Sequence, residues 1–267
     1  MQPRLPDLRS VLQGMGSVVV AFSGGTDSSL VLRLAVEALG DRAVGLTAVG
    51  PALAPRERQD AVRLAKAMGA RHLLVDSGEG EDPLYRANAG DRCFHCKTEL
   101  YRITSRVRDE LGFDWVANGT NTDDLGDYRP GLDAADKAGV RSPLVEVGAR
   151  KEDVRTMARD LGLDVWDKPA AACLASRIPY GTEVTPERLA QVATLEAGLL
   201  DMGLRQVRVR HHGELARIEV GAGELARAFE LRERLVAAGR EAGFSFVTLD
   251  LEGYRMGSLN ALLPVIP

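Results

Sequence analysis

Residues 17–40 read SVVVAFSGGTDSSLVLRLAVEALG. An apolar run from Val18 to Phe22 leads into Ser23-Gly24-Gly25-Thr26-Asp27-Ser28-Ser29, after which Leu30, Val31, Leu34 and Val36 recur at helical spacing. That order spells a buried strand, a tight turn and a helix. A turn of this kind is an anion site, because the first amides of a helix lack acceptors within it and the helix dipole favours negative charge there. Gly24 and Gly25 let the backbone approach a phosphate closely, and Ser23 and Ser28 add hydroxyl donors. Asp27 does not suit a plain anion cradle, since a carboxylate repels phosphate unless a divalent cation lies between them. Magnesium with a nucleoside triphosphate reconciles the set. The pattern GxxxxGK[ST] of kinase-type phosphate loops is absent.

Outward from this turn, SVVVAF, AVGLTAVG, RHLLVD and DWVANG alternate with amphipathic stretches such as RERQDAVRLAKAMGA. Strands separated by helices predict an α/β fold, a doubly wound parallel sheet whose ligands sit at the carboxyl ends of its strands. Beyond Pro143 the texture changes. The stretch EVGARKEDVRTMARDLGL predicts a helix that starts near Gly148, and DKPAAACLASRIPYGTEV a loop of small residues and proline. Next comes a helix with Thr185 as N-cap and Pro186 in its first turn. The tail, with QVRVRHH, ARIEV and FSFVTLDLEGYR, predicts a smaller C-terminal α+β domain of antiparallel strands. The division expected is residues 1–165 for the nucleotide domain and 166–267 for the rest.

The chain has 267 residues, 45% of them hydrophobic, which is enough for a sizeable core. With 34 basic against 38 acidic residues the formal charge is -4, so no global basic field gathers nucleic acid and none is expected as a partner. No signal-like or membrane-length apolar stretch is present in the sequence, and a cytoplasmic location is expected. Three cysteines, Cys93, Cys96 and Cys173, do not suit a disulfide framework in such a chain. A pair with two residues between its members usually binds metal or cycles redox state. Zinc completed by His72, His95, His211 or His212, and inert buried thiols, are the other readings.

SGGTDS at residues 23–28 matches the SGGxDS signature of the PP-loop ATP pyrophosphatases. That resemblance implies cleavage of ATP between the α and β phosphates, with an acceptor oxygen adenylated and pyrophosphate leaving in the turn. Three further segments narrow the resemblance: RCFHCK at 92–97, GTNTDDLGDYRPGL at 119–132 and KPAAACLASRIPYG at 168–181. Together they resemble the LarE family, ATP-dependent sulfur transferases that thiolate a pyridinium biscarboxylic acid mononucleotide on the way to the nickel-pincer nucleotide cofactor of lactate racemase. VRVRHHGELARIEV extends the similarity toward the end of the chain, and ACLASRIPYG carries it most specifically.

In the best-known form of that family, the cysteine corresponding to Cys173 gives up its own sulfur and becomes dehydroalanine. The added Cys93 and Cys96 depart from that form and resemble its three-cysteine members. For these, Cys93, Cys96 and Cys173 would hold a 4Fe-4S cluster with one iron open to an external sulfide. The resemblance also implies a homo-oligomer, a small nucleotide substrate, a sulfur donor and a place in lactate racemase maturation.

Site residues are assigned accordingly. Ser23, Gly24, Gly25, Asp27 and Ser28 are expected to hold the β and γ phosphates, with Asp27 near magnesium. By analogy with the superfamily Thr47 lines the adenine, while Gly119, Thr120 and Asn121 approach the α-phosphate. Lys97 would neutralise developing charge beside the cysteine pair. Ser176, Arg177, Arg208 and Arg210 are candidates for the substrate's phosphate and carboxylates, the last two alternating along one strand face. Rival readings are a tRNA thiolase using the same adenylation, and a nucleotide-sensing or iron-sulfur binding protein without turnover.

Overall fold

The four apolar runs become β1 (Val18–Ala21), β2 (Ala43–Val49), β3 (Arg71–Asp76) and β4 (Trp115–Ala117), in a computed structural model that describes residues 4–126, 130–169 and 172–255. All neighbours in this sheet are parallel and the order is β3-β2-β1-β4. The helices, in chain order, are α1 (Leu5–Gln13), α2 (Thr26–Leu39), α3 (Pro55–Ala67), α4 (Pro83–Arg86), α5 (Arg92–Leu111), α6 (Pro130–Lys137), α7 (Pro143–Glu146), α8 (Lys151–Asp160), α9 (Pro186–Asp201), α10 (Leu225–Glu230) and α11 (Arg232–Glu241).

Strand β1 is apolar at every position because both of its faces are covered. Val18 and Val20 join a core with Leu8 and Leu12 of α1, Leu30 and Leu34 of α2, Leu64 of α3 and Met157 of α8. Val19 points the other way, with Leu46 of β2 and Ile103 and Val107 of α5. Helices therefore flank the sheet on both sides, as a doubly wound sheet requires. Chain order reverses between β1 and β4, and ligands of such sheets lie at the carboxyl ends of the strands at that point. The SGGTDS turn follows β1, and Asn118-Gly119-Thr120-Asn121 follows β4.

The second sheet, of order β5-β6-β7, is formed by β5 (Val207–His212), β6 (Leu215–Val220) and β7 (Phe246–Leu249). β5 and β6 are an antiparallel hairpin turning through Gly213, whose φ of 66° is the left-handed conformation such tight turns use. Here the expectation of antiparallel strands throughout needs correction: β7 runs parallel to β6. The reason is the connection, because α10 and α11 intervene and a helical crossover returns the chain in the same direction. Thr185 does cap α9, its side chain accepting from the Arg188 amide at 3.3 Å, with Pro186 as first residue.

Two compact units result. The first comprises residues 1–50, 55–79 and 93–171, the second residues 51–54, 80–92 and 172–267. These differ from a single cut after residue 165 by two excursions of the N-terminal part into the second unit and by a boundary that falls after residue 171. No described helix is long and apolar enough to cross a membrane.

Candidate functional site

In the first unit, the turn after β1 is built to leave amides open. Gly24 has φ 70°, and a Cβ there would come within 3.2 Å of the Ala61 backbone in α3, so only glycine fits without displacement. Gly25 is the N-cap of α2, and no side chain caps that helix. The serines are braced against each other, the Ser23 amide donating to Ser28 Oγ at 3.2 Å and the Gly25 amide to Ser23 Oγ at 3.3 Å. Thr26 is turned inward, its hydroxyl donating to the Val165 carbonyl at 2.6 Å.

Asp27 is gripped from two directions. Asn121 Nδ2 donates to Oδ1 at 3.1 Å, and the Lys151 ammonium at the start of α8 bonds Oδ2. A carboxylate in an anion-binding turn needs a nearby cation, and Lys151 supplies one. The loop after β4 abuts the same helix end. A Cβ on Gly119 would lie 2.7 Å from the Ser28 amide nitrogen and 3.0 Å from the Asp27 carbonyl carbon. Beyond it, the Thr120 amide donates to Asn118 Oδ1 at 3.0 Å, and Asn121 accepts from the Asp123 amide at 3.0 Å. Gly119→Ala is therefore expected to lower the melting temperature through an overpacking cost of about 1–3 kcal/mol. It should also slow pyrophosphate release from ATP by roughly tenfold, since α2's first turn must shift. Unchanged melting and unchanged release together would show that this close approach is unimportant.

Lys151 was invisible to motif reading because GARKEDVR resembles any solvated helix start. A signal was nevertheless present: a lysine at the first position of a helix opposes the dipole, where acidic residues are the rule. Thr47, assigned to the adenine, is buried, and its hydroxyl donates to the Phe22 carbonyl at 2.7 Å and pairs with His72 Nε2 at 2.8 Å. Its side chain thus ties the residue after β1 to β2 and β3. Burial lowers the His72 pKa, and because the one Thr47 hydroxyl proton goes to Phe22, His72 Nε2–H is the donor to Thr47.

Cys93 and Cys96 sit at the start of α5, three residues apart and hence on neighbouring turns of one face, the first exposed and the second partly so. Lys97 follows on that face, exposed, its stem 2.9 Å from where a Gly131 Cβ would stand. Among the described residues, neither unit by itself gathers three or more His, Cys, Asp or Glu side chains as a metal ion would require. The donor chemistry of two soft thiolates one turn apart does suit iron or zinc. Residues 127–129 and 170–171 of the quoted motifs lie outside the described residues.

In the second unit, Cys173 is exposed at the head of a short 3-10 turn, Leu174–Arg177. Its backbone is fixed by side chains. Arg177 Nη1 donates to the carbonyls of Ala172 at 2.7 Å and Cys173 at 3.0 Å, and Ser176 Oγ donates to the Cys173 carbonyl at 2.8 Å. The remaining face of Arg177 makes a bidentate pair with Glu196 of α9, at 2.8 and 3.0 Å. Arg177 and Ser176, assigned to the substrate, thus hold the thiol-bearing loop in shape.

Arg210 is buried, donating to the Ser176 carbonyl at 3.1 Å and to Glu219 at 2.7 Å. Arg208, on the same strand face, lies over the Tyr254 ring at 5.2 Å. Burial first, and the charge of Arg177 second, lower the Arg208 pKa. The guanidiniums of Arg177, Arg208 and Arg210 crowd two buried carboxylates, Glu196 and Glu219, and Arg217 with Asp250 adds no net charge.

A family model described as NAD synthase matches residues 8–117, the stretch containing the first turn and β1 to β4. An uncharacterised protein of Synechocystis sp. is 44% identical over 98% of this chain and 99% of its own length. A tRNA-specific 2-thiouridylase of Xanthobacter autotrophicus is 32% identical over 57% of this chain and 49% of its own. Pyridinium-3,5-bisthiocarboxylic acid mononucleotide synthase of Lactiplantibacillus plantarum is 36% identical over 96% of this chain and 93% of that enzyme. With that similarity running nearly end to end, across the SGGTDS turn and the Cys173 loop alike, the chain belongs to the LarE family of ATP-dependent sulfur transferases, within the PP-loop ATP pyrophosphatases.

Proposed function

We propose that the protein adenylates a carboxylate of pyridinium-3,5-biscarboxylic acid mononucleotide and converts it to a thiocarboxylate, for a nickel-pincer nucleotide cofactor. The observation that carries this reading is the near full-length similarity to an enzyme named for the bisthiocarboxylic product. The uncapped start of α2, with Asp27 held by Lys151 and Asn121, supports the ATP half of the reaction. The partial match to a tRNA thiolase accompanies a shared way of handling ATP, and a net charge of -4 does not favour an RNA surface.

In the first step a substrate carboxylate oxygen attacks the α-phosphorus of ATP, and the bond to the β-phosphate oxygen breaks, releasing pyrophosphate. The first amides of α2, with Lys151 and a magnesium ion held by Asp27, would carry the charge that leaves. A sulfur nucleophile then attacks the acyl carbon, and AMP departs with the electron pair of the C–O bond. Arg208 and Arg210 would receive the substrate's phosphate and second carboxylate.

For the sulfur, we favour a 4Fe-4S cluster held by Cys93, Cys96 and Cys173. When bound, it would supply sulfide to the activated acid without consuming the chain. Lys97 would offset negative charge beside the pair. The alternative is sacrifice of Cys173, in which its thiolate forms the thioester and loss of the Cα proton with the Cβ–S bond leaves dehydroalanine. A cytoplasmic location suits such oxygen-sensitive thiols.

The test is pyrophosphate and AMP release from ATP with this mononucleotide, alongside anaerobic iron and sulfide content of the intact chain and of Cys93→Ala. Substrate-dependent AMP formation, with iron lost in the variant, is expected. No AMP with this acid would overturn the substrate, and an iron-free anaerobic protein would leave sacrifice of Cys173 as the route.

A further inference from the structure

The second unit contains a segment that the proposed chemistry does not use: residues 80–92, drawn from the nucleotide half of the sequence. At its centre is Asn88, completely buried, with φ 54°, the positive-φ residue other than glycine among those described. Asparagine tolerates this left-handed conformation better than most residues, but a buried site still needs a reason for it. The reason is in its bonds. Asn88 Nδ2 faces three carbonyls of one loop, Ile178 at 3.3 Å, Pro179 at 2.8 Å and Thr182 at 2.9 Å. Its own carbonyl accepts from the Gly181 amide at 3.0 Å.

The side-chain oxygen of Asn88 accepts from Arg92 Nη1, and the same nitrogen donates to the Ala175 carbonyl at 2.9 Å. Arg92 is itself buried, at 4% exposure, too deep for its charge to be a solvated surface feature. Added to the bonds already described, side-chain donors occupy the carbonyls of Ala172, Cys173, Ala175 and Ser176. The Leu174 amide is held as well, donating to the Ala52 carbonyl at 2.9 Å. Every carbonyl bonded this way is backbone, and the Cys173 thiol stands exposed among them. A loop whose backbone is fastened around an unused thiol presents that side chain in a fixed place while leaving its chemistry open.

We propose that Asn88 and Arg92 are positioning residues for sulfur transfer: the left-handed Asn88 and the buried Arg92 guanidinium fix loop 172–182 so that Cys173 meets the activated acid. This rests on the sulfur-transfer reading above.

Asn88→Gly permits the positive φ while removing the amide, and so separates the bonds from the backbone conformation. Two readouts on the full chain decide the matter. Without any ligand, amide hydrogen exchange in peptides covering 172–182 should quicken by about tenfold in Asn88→Gly and Arg92→Met, while β5 and β6 exchange as before. With ATP and the mononucleotide, thiocarboxylate formed per AMP should fall by about tenfold in both variants, and by less in Arg92→Lys, which keeps a cationic donor. Partial unfolding lowers AMP and thiocarboxylate together and leaves their ratio unchanged, so a fallen ratio reports position.

Exchange and ratio both at wild-type values would overturn the proposal while leaving the sulfur-transfer reading intact. If the wild type makes no AMP with this acid, the substrate reading fails, and the exchange result alone still decides whether Asn88 and Arg92 hold the loop.

Discussion

Asp27→Ala is expected to abolish pyrophosphate release from ATP, and Lys151→Met to reduce it by about 10²-fold, with Lys151→Arg retaining most of it. The argument is one of charge. Asp27 sits on the first turn of α2, where the open amides favour an anion. In the wild type its carboxylate is balanced by the Lys151 ammonium and oriented by Asn121. Without the ammonium, an unbalanced carboxylate faces the triphosphate. At a separation of about 5 Å and an effective dielectric near 20, one such repulsion is about 3 kcal/mol, a factor on the order of 10² in rate or binding.

Removing Asp27 has a different consequence. The repulsion disappears, but so does the carboxylate proposed to fix magnesium, and Lys151 and Asn121 both lose the group that orients them. Pyrophosphate assays at saturating ATP separate the two variants. A Lys151→Met enzyme with wild-type release would reduce the lysine to a structural partner of Asp27, and an active Asp27→Ala would remove the metal role from this turn.

The contrast between Asp27 and Lys151 shows what was legible in the sequence. Strand, turn and helix around SGGTDS are encoded in contiguous residues, each by local physics: the apolar run that both faces of a sheet bury, the glycine whose φ is positive, and the period of the following helix. All four strands of the first sheet were readable for that reason. Lys151 lies 124 residues from Asp27 in sequence, and their approach depends on α8 packing beside α2, which no local pattern records. Asn88 is hidden similarly, since NAGDRC reads as an exposed turn and only the fold reveals which carbonyls its amide meets. Arg177 shows the reverse case. Its motif singled it out for a ligand, but a guanidinium suited to a ligand is equally suited to Glu196 and two carbonyls, and composition does not say which partner arrives. The direction of β7 was unreadable from its own residues because it is set by the crossover before it.

Cys173→Ser should leave AMP and pyrophosphate formation near the wild-type rate while thiocarboxylate falls below detection. The clamps on the loop leave the thiol alone: Arg177, Ser176, Arg92 and Arg210 all donate to backbone carbonyls, so serine inherits the wild-type shape. In the proposed reaction adenylation uses the α2 turn and not residue 173. The acyl adenylate then has only water as acceptor, returning the acid and AMP, because a serine hydroxyl near neutral pH is a far weaker nucleophile than a thiolate and a poor ligand for iron. Cys93→Ala divides the two sulfur routes. If a cluster delivers sulfide, this variant loses thiolation as fully as Cys173→Ser and residue 173 stays cysteine after wild-type turnover. If Cys173 is sacrificed, Cys93→Ala still thiolates, and peptide mass finds dehydroalanine at 173 in proportion to product. Full-rate thiolation by Cys173→Ser would contradict both routes, since each requires that thiolate either to hold the sulfur carrier or to be the sulfur.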